Sequence, residues 1–187
     1  MKKTLTVIIA LVLVVVMSVA GTVAYLTSQA TVTNSFTVGK VEITLDETDV
    51  DLYGSKDGET RVAENTYKLI PGHTYTKDPI VHVGADSEDC WLFVKVENGL
   101  SAIEDSNAKI AGQLTENGWT LVAGTNIYAY KNTVSASSNV PVFGSFKLAG
   151  DADVANYASA EIVVTAYAVQ ADSFDTAADA WTAAGLA

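Results

Sequence analysis

One cysteine and two histidines among 187 residues set the first limits on this chain. With Cys90 alone, no intrachain disulfide can form, so an exported domain would have to be held by its hydrophobic core. Cys90 stands beside Trp91 in an apolar run, where a buried thiol acting as a small hydrophobe is expected. His73 and His82 flank Pro79, and no His-Glu-x-x-His helix is present, so the usual zinc-protease spacing is missing. The two histidines are left as weak metal candidates that would need a distant carboxylate. Serine catalysis needs a histidine base beside a nucleophile. Phe143-Gly144-Ser145-Phe146 lacks the Gly-x-Ser-x-Gly elbow, and no phosphate-cradling glycine loop occurs. No catalytic or cofactor-binding residue is assigned.

Basic residues are scarce too. Residues 1–24 hold two of the 11 Lys+Arg and none of the 22 Asp+Glu, so residues 25–187 carry a formal charge of −13. That balance argues against nucleic acid, whose phosphates need Lys and Arg, and against anionic lipid surfaces. Like-charged copies stay apart at low salt and associate more readily once salt or acid reduces the repulsion. The acids cluster in turns, where solvation is the default. Asp46, Glu47, Asp49 and Asp51 are at most a weak calcium site, because their spacing departs from the Asp-x-Asp-x-Asp-Gly loop. A glycosidase needs only two placed carboxylates, and composition alone leaves that open.

What is present begins with an address. Lys2 and Lys3 precede an apolar run from Val7 to Met17, followed by Ser18, Ala20, Gly21, Thr22 and Ala24. This is the layout of a secretory signal peptide. The run is short for a membrane span, although an uncleaved signal anchor is the alternative. Cleavage fits Ser18-Val19-Ala20 before Gly21, or Thr22-Val23-Ala24 before Tyr25. The remainder is expected to be secreted, or membrane-tethered until cleavage.

Beyond the signal, short β-branched and aromatic runs alternate with Gly, Asn, Asp and Pro, the pattern of an all-β antiparallel sandwich. Ser35–Asp46 reads as a strand whose apolar parity switches at Gly39, the mark of a bulge. Residues 47–61 read as a solvated loop or weak hairpin. Tyr67–Ile70 reads as an edge strand stopped by Pro71-Gly72, followed by strands Thr74–Lys77 and Ile80–Val83. Cys90–Glu97 reads as a central strand with both faces covered near Trp91. A short helix is expected over Ala108–Leu114, capped by Asn107 and closed by Asn117-Gly118. Trp119–Val122 and Ile127–Lys131 read as a hairpin. Val140–Leu148 reads as a strand region bent at Pro141 and Gly144. Glu161–Gln170 reads as a long strand with Ile162, Val164, Ala166 and Ala168 on one face. The tail, Ser173–Ala184, reads as an amphipathic helix capped by Ser173, with Phe174, Ala178 and Trp181 on its apolar side.

One domain without a visible active site points to structural assembly. The segment Tyr25–Gly39 is β-prone, poor in charge and lies at the expected new N-terminus. Such a segment can pair with the exposed sheet edge of a neighbour, and a head-to-tail contact that does not close yields a filament.

Specific residues also carry a family resemblance. Gly21-Thr22-Val23-Ala24-Tyr25-Leu26-Thr27 and Asn34-Ser35-Phe36-Thr37-Val38-Gly39-Lys40-Val41-Glu42-Ile43-Thr44-Leu45-Asp46-Glu47 resemble the TasA/camelysin family of Gram-positive bacteria. Pro71-Gly72, Lys77-Asp78-Pro79, Val81-His82-Val83, Val94-Lys95-Val96-Glu97 and Ala166-Tyr167-Ala168-Val169-Gln170 fit the same family. The resemblance implies a jelly-roll-like β-sandwich over 39–187 with short peripheral helices and a C-terminal helix, after a signal peptide over 1–24. It implies processing by a SipW-type signal peptidase, with Thr22 and Ala24 in the cleavage motif and Tyr25 as the new N-terminus. It further implies biofilm-matrix fibres built by donor-strand exchange, with a donor over 25–38 that includes Leu26, Ala30, Val32, Phe36 and Val38. The partners implied are other copies of the chain and an anchoring or accessory matrix protein. Camelysins are classed as surface metallopeptidases, so that activity is the alternative. A non-polymerising surface adhesin or coat component is another.

Overall fold

The computed structural model describes residues 40–185, which belong to the compact unit Gly39–Ala187. The signal segment, Thr22, Ala24, Tyr25, the donor residues Leu26, Ala30, Val32, Phe36 and Val38, and the bulge expected at Gly39 lie outside the described residues.

Among the described residues there are ten strands: β1 (Ile43–Val50), β2 (Lys56–Val62), β3 (Thr74–Thr76), β4 (Ile80–Val83), β5 (Cys90–Asn98), β6 (Trp119–Leu121), β7 (Ile127–Tyr130), β8 (Asn139–Pro141), β9 (Ser145–Lys147) and β10 (Ile162–Gln170). Two short α-helices, α1 (Ile110–Glu116) and α2 (Ala177–Ala184), and a 3-10 turn over Val154–Tyr157 accompany them. Sheet I has the order β2-β1-β4-β8 and sheet II the order β10-β5-β7-β6; β3 and β9 form a two-stranded ribbon. Every pairing is antiparallel, as the alternating strand pattern implies.

The fold follows from side-chain alternation along each strand. Val81, Val83 and Val140 of sheet I meet Leu92, Val94 and Trp119 of sheet II, with Tyr75 and Phe146 of the ribbon, in one buried core. Opposite faces of β5 point elsewhere. Phe93, with Ile127 and Ala129, packs under Ala180 and Trp181 of α2. Around Phe93, sheet II is therefore covered on both faces, as the apolar residues around Trp91 predict, and α2 is the lid there.

Of the two readings of residues 47–61, the hairpin holds: β1 continues to Val50 and pairs with β2. Its turn is set by Asp51, whose Oδ1 accepts from the amides of Tyr53 and Ser55. Gly54 is required there: its φ is +76°, and a Cβ would stand 2.8 Å from Tyr75 Cα. Several other local expectations are corrected. Tyr67–Ile70 forms no strand. Its backbone bonds go to single acceptors and donors instead: Lys68 N donates to Leu52 O, and Ile70 N donates to the Tyr75 hydroxyl. Tyr67 is drawn into the core edge-on to Tyr75 and Phe146, so this segment is a strap anchored by side chains.

The Val140–Leu148 region is two strands in different sheets, β8 and β9, separated around the expected break at Pro141 and Gly144. Asn107 does not cap α1. The cap residue is Lys109, and Glu104 Oε1 accepts from Ile110 N. Thr176, not Ser173, caps α2 by accepting from Asp179 N. The buried side of α2 is Ala180 and Trp181, with Ala178 exposed. Gly185 closes α2 in the left-handed conformation, as expected.

Candidate strand-acceptor groove

β10 is nine residues long, carries no charged side chain and stands at the edge of sheet II. Its hydrogen-bonding phase is fixed at both ends, where Gly99 N donates to Glu161 O and Ala171 N donates to Asp89 O. With Val163 opposite Glu97 and Val169 opposite Trp91, the odd-numbered residues bond to β5. The N–H and C=O groups of Ile162, Val164, Ala166, Ala168 and Gln170 point away from it. Among the described residues, β5 is the only strand paired with β10.

Beside this edge lies a groove of about 580 Å³. Leu45 of β1, Tyr67 and Leu69 of the strap, Phe146, Ile162 and Val164 form its apolar wall. One end is polar. Glu47 is 3 % exposed and accepts from Lys77 Nζ at 2.7 Å and from Asn65 Nδ2 at 3.0 Å. Asn65 also donates to Thr48 O and accepts from Val50 N, satisfying β1 where its register with β2 shifts. These bonds fix the strap across the groove. Tyr67 donates its hydroxyl to Thr76 O, and burial pushes its pKa up, so it remains a neutral donor. The site is a slot between an anchored strap and a strand edge that is unpaired among the described residues.

The residues singled out for chemistry do not converge. His73 Nε2 bonds to Tyr53 O, and its ring meets Tyr75 edge-on at 4.6 Å. His82 contacts Asp46 and Asn139 instead. Among the described residues, no group of three His, Cys, Asp or Glu has the geometry to hold a metal ion. The four acids weighed for calcium are separately engaged: Asp46 with Arg61 and His82, Glu47 with Lys77, Asp49 with Thr60, and Asp51 with its own turn. Cys90 is buried and its thiol donates to Val134 O at 3.6 Å. Burial, helped by Asp89, pushes its pKa up to about 11, which disfavours the nucleophilic thiolate.

The sequence signalled β10 as a strand but not as an edge. It also gave no warning of the strap. The signal available was the absence of charge over 162–170, set against the charge-rich stretch that became β2. Comparison with known proteins gives no matching family model, curated protein or solved structure.

Proposed function

We propose that this chain is an exported structural subunit that assembles into extracellular or cell-surface fibres by strand addition, residues 25–38 of one copy pairing along β10 of the next once the signal is removed before Tyr25. The observation that carries this reading is the long, uncharged edge of β10, unpaired among the described residues, with a groove of mixed apolar and polar lining beside its first residues, Ile162–Val164. Such an edge is a template for another strand.

The proposed occupant suits the slot. Residues 25–38 contain no charged side chain, and Leu26, Ala30, Val32, Phe36 and Val38 all fall on even positions. An extended strand would therefore show one largely apolar face and one face rich in Thr, Ser and Gln. At roughly 3.3 Å per residue, the segment is longer than β10 and leaves chain to reach a second copy. Segment-into-groove contact is head-to-tail and gives open filaments. The absence of charge in the donor also spares it the repulsion between acidic subunits. The family resemblance supports the same reading, including a SipW-type peptidase as the releasing partner. The metallopeptidase alternative draws no support from His73 and His82, which bond to different groups.

Electron microscopy of the chain starting at Tyr25, beside the chain starting at Ser35, tests the proposal. Filaments from the longer chain only are expected. Filaments from both would remove the donor role of 25–34, and filaments from neither across salt and pH would end the fibre reading.

A further inference from the structure

The outer face of sheet I carries a connected polar network. Alternation sends Val81, Val83 and Val140 to the core, leaving Asp46, Thr48, His82 and Asn139 on the other side. Arg61 of β2 donates to the Asp46 carboxylate, to Thr48 Oγ1, to Asp78 Oδ2, and to the backbone oxygens of Asp46 and Asp78. Asp78 also accepts from Thr48 N and Thr48 Oγ1. His82 joins this cluster to the edge strand β8, which pairs with β4 through only three residues.

Both nitrogens of His82 face oxygen acceptors. Nε2 lies 2.9 Å from Asp46 Oδ1, and Nδ1 lies 2.6 Å from Asn139 Oδ1. A neutral imidazole has one N–H, so donation to both requires the imidazolium. We propose that protonated His82 is a staple from β4 to β1 and to the edge strand β8, so that sheet I tightens as the pH falls through neutrality and loosens as it rises. The groups facing it are Asp46 on β1, Asn139 on β8, and, through Asp46, Arg61 and Asp78. Burial and the Arg61 charge oppose the cation; the bonds to Asp46 and Asn139 outweigh them and hold the His82 pKa above its ordinary value. A raised folded pKa gives stability that is full below the unfolded value of about 6.5 and lost as pH rises through the folded value.

The test uses the full chain dispersed in non-ionic detergent, with imidazole NMR signals titrated from pH 5 to 9. The chain has two histidines, so His73→Gln assigns His82 without disturbing the staple. A His82 midpoint above about 6.5, lowered by Asn139→Ala, is the expected result. A wild-type midpoint at or below that value would overturn the staple and mean that Asn139 presents its NH₂ to a neutral ring. Melting at pH 6 and pH 8 adds a second readout. The wild type is expected to lose about 2–4 °C across that step and His82→Gln distinctly less; equal losses would also overturn the proposal.

Discussion

The two sheets of this sandwich are finished in opposite ways. Sheet I is polar on its outer face and guarded at both edges. β2 carries Lys56, Asp57, Glu59 and Arg61 and is mostly exposed, while β8 is three residues long and ends in Pro141. Charge, shortness and proline are the usual devices against unwanted strand pairing. Sheet II is apolar on its core face and, around Phe93, on its outer face as well, where α2 covers it; the far end of that outer face carries Lys95, Glu97 and exposed Val163. One of its edges, β6, is short; the other, β10, has nine residues and no charge, proline or bulge. Among the described residues, three sheet edges are blunted and the fourth, β10, is not. Sheet I ends there in a charged strand and a short one, whereas sheet II ends on one side in a long uncharged strand.

The largest effect on assembly follows from placing on β10 the device that sheet I already has. Ala166→Pro removes an N–H that points away from β5, so the pairing inside the domain survives. The cost to folding is roughly 1–3 kcal/mol, from proline's fixed φ. Filament yield, measured by sedimentation and microscopy, is expected to fall at least about tenfold, since 1.4 kcal/mol of lost pairing is already a factor of ten. Normal filaments from a folded Ala166→Pro chain would show that β10 is not the acceptor.

The next effect concerns the covered face. Trp181 is 5 % exposed, with its ring 5.0 Å from Phe93 and 5.6 Å from Tyr167. Trp181→Ala is expected to cost about 3–5 kcal/mol in urea unfolding. Trp181→Phe should cost much less, because the indole N–H has no partner among the described residues and its loss breaks no bond. A similar cost for both variants would mean that α2 is held by something other than aromatic packing.

Much of this contrast was legible in the sequence, and the failures have identifiable causes. β5, β10 and the β6–β7 hairpin were readable because strict alternation or turn residues mark them. Tyr67–Ile70 has β-prone residues but no strand, because propensity says nothing about a backbone partner and Tyr67 gains more by entering the core. Val140–Leu148 showed its break, yet residue parity cannot reveal that the chain changes sheet there. The caps at Lys109 and Thr176 depended on backbone geometry and not on the first suitable side chain. The groove was illegible for a deeper reason: being an edge is a property of topology, not of the strand. Arg61 is the exception in the other direction. It is the only arginine in the chain, and a lone guanidinium among so many acids was a readable pointer to the network of sheet I.

That network gives the smallest of the expected effects, and the one that separates the sheets by pH. Burial raises the pKa values of Asp46 and Asp78, but hydrogen bonds outweigh it and leave both below the ordinary range. For Asp46 the bonds come from Arg61 and His82; for Asp78 they come from the Thr48 amide and hydroxyl and from Arg61. A carboxylate with a depressed folded pKa contributes stability that is present above its unfolded value, about 3.9, and lost as pH falls below it. Arg61→Met removes the shared cation and is expected to cost roughly 1–2 kcal/mol at neutral pH, discounted because these side chains are 28–30 % exposed. As pH falls below about 3.9 the gap between the two proteins should narrow, closing once pH passes below the depressed folded values, since the protonated acids no longer need the guanidinium. Urea unfolding across that range reads the difference directly. A gap between wild type and variant that stays constant from pH 7 to pH 3 would mean that Arg61 acts through packing and backbone bonds, and that charge plays no part in finishing sheet I.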